Sequence, residues 1–301
     1  MSGQAKLTLG PLLFNWPAEE VAAFYAGIAA EAPVDTVHLG EVVCPKRSPF
    51  LTEALAEAAD RLTDADIEVV WSTLGLIADA KDVEATRDMI GSTDGLVEIN
   101  DVTAQPMLEG RAHAVGPLVN VYNEGTLRWL ASRGVVRVCL PPELPREAIA
   151  ALAGAADGVE LELQVFGRMP LALSARCYHA RAHGLHKDGC QFVCDEDPDG
   201  MPVLTLADQS FLAVNGIQTL SHALLDLSAE AGELLDIGIR RFRLSPHRVD
   251  MVAVARAWRD LLDGRHDGSQ AQRIIEAVAP FAPSANGYFH GRPGAERVAS
   301  A

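Results

Sequence analysis

Lys6-Leu7-Thr8-Leu9-Gly10-Pro11-Leu12-Leu13-Phe14-Asn15-Trp16-Pro17 decides between the two folds that the rest of the chain allows. Residues 6–10 read as a first strand, and Pro17 as the first position of a helix with Glu19 and Glu20 in its opening turn. A doubly wound nucleotide-binding sheet places Gly-x-Gly-x-x-Gly between such a strand and helix. Here that loop carries one glycine and a bulky apolar run instead. The same strand–helix unit then repeats. Residues 35–39, 67–73, 96–99, 113–115, 135–140, 159–165 and 242–244 read as further strands, most of them rich in Val, Ile and Leu. Helical faces fall between them: Val21, Phe24, Tyr25 and Ile28; then Leu55, Ala58, Ala59 and Leu62; then Ile149 and Leu152 after Pro145. Val249, Val252 and Ala253 mark a closing helix. Alternating units of this kind imply a parallel sheet, and their number without a dinucleotide loop favours closure. The expectation is an α/β fold, a TIM-barrel-like (β/α) barrel forming a single domain over residues 1–301. A cysteine-containing insert is expected at about 177–220, where the rhythm breaks, and a C-terminal extension at about 267–301.

Composition narrows function. Of the 301 residues 49% are apolar, enough for a sizeable core without disulfides. A formal charge of −16 argues against general nucleic-acid binding, which draws on Lys and Arg to neutralise phosphates. Gly10 and Pro11 break the first apolar stretch, so no secretory signal is read, and no run of about 18 apolar residues is long enough to span a membrane. With an odd count of five cysteines, this points to a reducing, cytoplasmic setting.

The cysteines carry the chemistry. Cys177, Cys190 and Cys194 are spaced C-x(12)-C-x(3)-C among glycines and polar residues, and Cys44 follows the second strand on the side where barrels build their sites. Cys139 lies inside a strand and reads as a small buried hydrophobe. Thiolates suit iron–sulfur clusters and zinc alike. Structural zinc sites pair their ligands in tight knuckles, which the long gap and remote Cys44 do not supply, so spacing favours iron–sulfur. His179 and His183, an i, i+4 pair, and His186 allow a mixed Cys/His zinc site, but read more simply as exposed or pocket-lining imidazoles. Residues 195–200, Asp-Glu-Asp-Pro-Asp-Gly, open like a calcium loop, yet Leu206 stands where the closing glutamate belongs, and a turn between strands explains them. No Gly-x-Ser-x-Gly elbow and no phosphate-binding Gly-x-x-x-x-Gly-Lys-Ser/Thr occurs. Polar residues at strand ends are candidates for binding a substrate: Glu41, Lys46 and Arg47; Glu98 and Asn100; Asn120, Tyr122 and Asn123; Glu162 and Gln164. Arg176 and Arg181 beside Cys177 suit a carboxylate or a cluster's negative charge, while Glu162 has the alternative of pairing an arginine inside the barrel.

Residues 162–177, Glu-Leu-Gln-Val-Phe-Gly-Arg-Met-Pro-Leu-Ala-Leu-Ser-Ala-Arg-Cys, resemble the signature of peptidase family U32, the collagenase-like proteases. The resemblance extends through Leu9-Gly10-Pro11, Asn15-Trp16-Pro17, Leu39-Gly40-Glu41-Val42-Val43-Cys44-Pro45-Lys46-Arg47, Tyr122-Asn123, Asn215-Gly216-Ile217-Gln218-Thr219, Arg243-Leu244-Ser245-Pro246 and Asn286-Gly287-Tyr288. It is nearest to the ubiquinone-biosynthesis branch, since most relatives carry a cysteine where this chain has Pro170. The resemblance implies a 4Fe-4S cluster on Cys44, Cys177, Cys190 and Cys194 and a UbiU-like sister subunit in a heterodimer. It further implies O2-independent hydroxylation of a ubiquinone precursor with prephenate as hydroxyl donor. The candidate substrate-binding set is Glu41, Lys46, Arg47, Asn120, Glu162, Arg176 and Arg181, and no catalytic residue is assigned. An RNA-hydroxylating member, or a non-catalytic partner carrying a cluster, are the alternatives. No residue pattern supports proteolysis.

Overall fold

The computed structural model describes residues 4–108 and 110–299. Its first half is a run of strands and helices: β1 (Lys6–Leu9), α1 (Ala18–Glu31), β2 (Thr36–Leu39), α2 (Ser48–Asp64), β3 (Glu68–Ser72), α3 (Ala80–Ser92), β4 (Val97–Ile99), β5 (His113–Val115), α4 (Glu124–Ala131), β6 (Val135–Leu140) and α5 (Arg146–Gly154). There follow β7 (Glu160–Leu173), α6 (Tyr178–Ala182), β8 (Met201–Leu204), β9 (Ser210–Asn215), β10 (Gln218–Asp226), α7 (Ala231–Ile237), β11 (Arg241–Leu244), α8 (Met251–Leu262), α9 (Gly268–Val278) and β12 (Ser284–Ala285). Strands β1 to β7 pair in sequence order, all parallel, and β11 pairs with both β7 and β1. That last pairing closes an eight-stranded parallel barrel of the TIM type. All eight expected strands are present, within a residue or two at most bounds, apart from the far end of β7.

Three local differences from the sequence reading have clear causes. Between β4 and β5 the crossover is a 3-10 turn, Val102–Leu108, because Pro106 removes a backbone donor and blocks a regular helix. The closing helix begins at Met251 and buries Met251, Val254, Ala255, Ala257 and Trp258, so Val249 precedes it and Val252 and Ala253 lie only partly covered. The signal lost there was Asp250, whose side chain accepts from the Ala253 amide and caps the start. Strand β7 does not stop with the barrel. It runs on to Leu173, pairing antiparallel with β10, which pairs with β9 and β9 with β8. Gly167, at φ +105, marks the departure; a Cβ there would stand 2.7 Å from that of Ser245.

Alternation along the strands sorts the side chains into two environments. Apolar residues such as Val37, Leu39, Val138, Leu140, Leu163, Phe242 and Leu244 pack with the helices in the main core. The opposite set is polar and fills the barrel. At one level Arg137 bonds Glu68 and Glu160 at 3.2 Å, and Arg241 bonds Glu160 and Thr36. Nearer the carboxyl ends Arg243 donates to Glu98 and, at 2.7 Å, to Glu162, while Glu98 also accepts from Ser72 at 3.0 Å. His38 Nε2 lies 3.3 Å from Arg243. All of these upper-level groups are buried. A charge at this depth is tolerated only when paired, since burial without a partner costs several kcal/mol.

Glu162 thus lies inside the barrel instead of at its mouth. Burial alone would raise its carboxyl, but the charge of Arg243, then that of His38, holds it down to about 2. Its ionic partnership is therefore at full strength above pH 4.5, where the unfolded chain titrates, and is lost as pH falls toward 2. Arg243→Met should cost about 3–5 kcal/mol at pH 7 by leaving two buried carboxylates uncompensated. The deficit should shrink at pH 4, as those carboxyls protonate. Urea midpoints of both proteins at the two pH values check this; a deficit independent of pH would show that the arginine acts by packing alone.

Candidate functional site

The loop after β2 leads Glu41–Cys44 over the barrel's carboxyl end, and residues 177–194 fold back to meet it. One pocket is lined by Cys44, Cys177, Cys190 and Cys194 together with Arg47 and His179, with about 360 Å³ of unfilled space counting its open mouth. Two segments more than 130 positions apart thus deliver four free thiols to one place. Cys139 does not line it; it is buried in β6, where desolvation pushes its thiol well up.

Arg47 joins the segments. Its guanidinium is buried and donates to Asn215 Oδ1 at 2.7 Å, to the Leu13 carbonyl at 3.3 Å and to Cys194 Sγ at 3.5 Å. Glu41, 3.9 Å away, accepts from the amides of Val43 (2.7 Å) and Cys44 (2.9 Å), fixing the turn that presents Cys44. Burial raises the Glu41 carboxyl, and Arg47 opposes that rise. Asn215 closes the bracket by donating to the carbonyls of Cys194 and Asp197, both at 2.8 Å. Gly216 follows it at φ +64, and a Cβ there would lie 2.5 Å from Arg47 Nη2. Only glycine lets the backbone pass so close to the guanidinium.

The sulfurs have donors of their own. Asn15 Nδ2 lies 3.4 Å from Cys194 Sγ, and Cys177 caps α6 by accepting from the Ala180 amide at 3.4 Å. Burial raises the thiols of Cys44 and Cys194, and the charge of Arg47 pulls both back. Between Cys190 and Cys194 the chain takes two consecutive left-handed residues, Gln191 (φ 51) and Phe192 (φ 57). Neither is glycine, so each costs roughly 1–2 kcal/mol. Phe192 is held in place by Phe50, ring to ring at 4.9 Å, and by its carbonyl's contact with Asn15.

Four thiols lining one pocket with a cationic, buried arginine form a donor set suited to a soft metal centre. Two sulfurs bound to one zinc at about 2.3 Å would stand about 3.8 Å apart. Among the described residues no three of the cysteine sulfurs lie within 4.8 Å of one another. The arrangement is thus wider than a single tetrahedral ion with three or four of these sulfurs would set.

The remaining substrate candidates scatter. Lys46 stands at the pocket's rim, its Nζ donating to the Lys187 carbonyl at 2.6 Å and lying 3.3 Å from Asp188. Arg176 and Arg181 are exposed on either side of Cys177. Asn120 is exposed, in a left-handed turn, apart from the cysteine pocket. Asn100 and Gln164 line a separate small pocket at the barrel mouth with Leu13, Val42 and Arg243. Of the residues ordering the cysteines, sequence reasoning missed Asn15 and Asn215 as hydrogen-bond donors and Asp197 as a neighbour of His179; the Asn215-Gly216 pair was the one visible signal.

The sequence profile described as peptidase family U32 matches residues 23–299. The chain belongs to peptidase family U32. Among solved structures, the U32 chain is similar to a mandelate racemase/muconate lactonizing protein from Paracoccus denitrificans PD1222 complexed with magnesium, at 15% identity and a TM-score of 0.39, over 55% of this chain and 49% of that one. It is also similar to an uncharacterized B. cereus protein (12% identity, TM-score 0.42, 80% and 61% of the two chains). A third is the phospho-2-dehydro-3-deoxyheptonate aldolase of Thermotoga maritima (12%, 0.32, 94% and 71%). The match thus spans about half the length of the racemase-like protein. These likenesses are remote; the barrel is established by its own strand order. Among the described residues no helix is long and apolar enough to cross a membrane.

Asn215→Ala would leave the Arg47 guanidinium and two carbonyls short of partners, at a cost of about 1–3 kcal/mol. It should also speed alkylation of Cys194 in metal-free protein, measured by mass spectrometry of iodoacetamide adducts, without changing Cys139. An unaltered Cys194 rate would mean that Asn215 does not order this loop.

Proposed function

We propose that this U32 protein is a UbiV-type iron–sulfur subunit that binds a 4Fe-4S cluster through Cys44, Cys177, Cys190 and Cys194. With a UbiU-like sister subunit it would support O2-independent hydroxylation in ubiquinone biosynthesis, prephenate serving as hydroxyl donor. The observation that carries this reading is the convergence of four free thiols on one pocket in a U32 chain, spaced too widely for a single zinc. Such a cluster supplies one-electron redox chemistry at a potential set by charge, sulfur hydrogen bonds and exposure.

The chain's own groups have assignable parts. Buried Arg47 would offset the negative charge of the Cys44 and Cys194 thiolates. Asn15 and the Ala180 amide donate toward Cys194 and Cys177, stabilising the more electron-rich state and so raising the potential. Lys46 latches the β2 loop to the segment before Cys190 and, with Lys187, puts positive charge at the rim. Exposed Arg176 and Arg181 flank Cys177 without lining the pocket, and a dicarboxylate such as prephenate would be drawn to the two lysines at the rim. The polar barrel interior is less suited to it, because Arg243 there already faces two glutamates.

Protein purified without oxygen, together with its sister subunit, should be brown and contain about four iron and four sulfide per chain of this type. Cys190→Ala should lose that colour and iron, and Cys139→Ala should keep both. Anaerobic hydroxylation of the ubiquinone precursor should fall to background when any of the four thiols is replaced. Colour lost from Cys139→Ala and kept by Cys190→Ala would refute the ligand set. Full hydroxylation by an assembled pair lacking all four thiols would refute the redox role and leave a structural subunit.

A further inference from the structure

At the wall of the thiol pocket, which His179 lines, three side chains converge that the cysteine ligand set does not use. His179 is fully buried on α6, His183 is its exposed i, i+4 partner, and Asp197 reaches in from the loop after Cys194. One ligand atom from each lies within 4.8 Å of the other two. The imidazole rings are parallel, with centroids 5.3 Å apart, an arrangement unfavourable to two imidazoliums.

The protons explain little of this. His179 Nδ1 faces the Val214 carbonyl at 3.3 Å, an atom that only accepts, so Nδ1 carries the hydrogen. Its Nε2 lies 3.1 Å from Asp197 Oδ2, yet makes no aligned hydrogen bond and is among the buried atoms left without a hydrogen-bond partner. Nε2 is thus buried against a carboxylate without an aligned N–H···O contact, a juxtaposition that a metal ion shared by the two atoms would satisfy. Two donor atoms each about 2.1 Å from one metal stand about 3.0–3.4 Å apart, the separation observed here.

We propose that His179, His183 and Asp197 form a mononuclear site for a divalent first-row transition metal, separate from the four thiols, with an open position toward solvent. Two imidazoles and one carboxylate suit zinc or ferrous iron. The Val214 carbonyl is the outer partner that fixes the His179 tautomer. The ion would staple α6, which Cys177 caps, to the loop just beyond Cys194, so it would brace the two arms that carry cluster ligands. The assignment stands on these three residues whether or not the thiols hold a cluster.

The test uses the anaerobically purified full chain, dialysed against zinc and then against metal-free buffer. Stoichiometric zinc should remain, and zinc-edge X-ray absorption should show nitrogen and oxygen neighbours at about 2.0–2.1 Å in place of sulfur at about 2.3 Å. His183→Ala and Asp197→Asn, both on solvent-accessible side chains, should each lose the zinc while iron and sulfide contents stay unchanged. Zinc that washes out of the wild-type chain, that shows sulfur neighbours, or that persists in both variants would overturn the site.

Discussion

The buried guanidinium of Arg47 is the constraint on which the thiol pocket depends. It arises from the β2 loop, yet its partners are the Leu13 carbonyl of the β1 loop, Asn215 of β9 and the sulfur of Cys194. A cation that cannot be deprotonated, enclosed to this degree, has to be surrounded by acceptors. The three segments that supply those acceptors are the ones that must meet for the cysteines to share a pocket. Gly216 and the Glu41 turn are consequences of making room for that cation and neutralising it. The four thiols could not recruit one another without an inorganic core, since isolated sulfurs attract weakly. A buried charge beside Cys194 draws together the segments that carry the cysteines, so the chain folds with the pocket already assembled.

The barrel solves a related problem by different means. Its interior holds seven charged residues in two levels, Arg137, Arg241 and Arg243 against Glu68, Glu98, Glu160 and Glu162 from β3, β4 and β7. Each arginine bridges strands that are not neighbours in sequence, so a slip of one strand by one residue would strand a charge against apolar helices. The ion pairs thereby specify register more than they add stability. A rigid, registered barrel matters here because β7 leaves it as a single continuous strand and carries the antiparallel arm that holds Asn215.

How much of this was written in the sequence differs by scale. Strand positions were legible because apolar residues at β2, β6 and β11 alternate with polar residues that must face inward. The fate of Glu162 was not, because alternation says which face a side chain takes but not which arginine awaits it, and that depends on how β7 aligns with β11. Four thiols were legible as a donor set from residue chemistry, whereas Asn15 and Asn215 were not: they become a sulfur and a guanidinium partner only through contacts 179 and 168 positions apart. Asp197 and Asp199 looked like turn residues in an abortive calcium loop. In the structure Asp199 accepts from His247 and the Arg248 amide, and Asp197 stands beside His179. Local composition explained the bend and missed the tertiary partners.

Strain and bracing meet in the same short segment. Gln191 and Phe192 adopt left-handed backbone between two cysteines, a conformation that L side chains adopt only when their surroundings compel it. The compulsion on the protein side comes from Phe50 and Asn15 before the segment's last cysteine, and from Asn215 and Trp16 after it, the indole of Trp16 donating to the Pro198 carbonyl at 2.7 Å. Three of those four braces come from loops at the barrel's carboxyl end or the helix just past them, not from the arm that contains the cysteines. The arm is thus shaped by the barrel it caps. Its loop is bent by the fold itself, so the cost of ordering Cys190 and Cys194 falls on folding and not on any ligand they would hold.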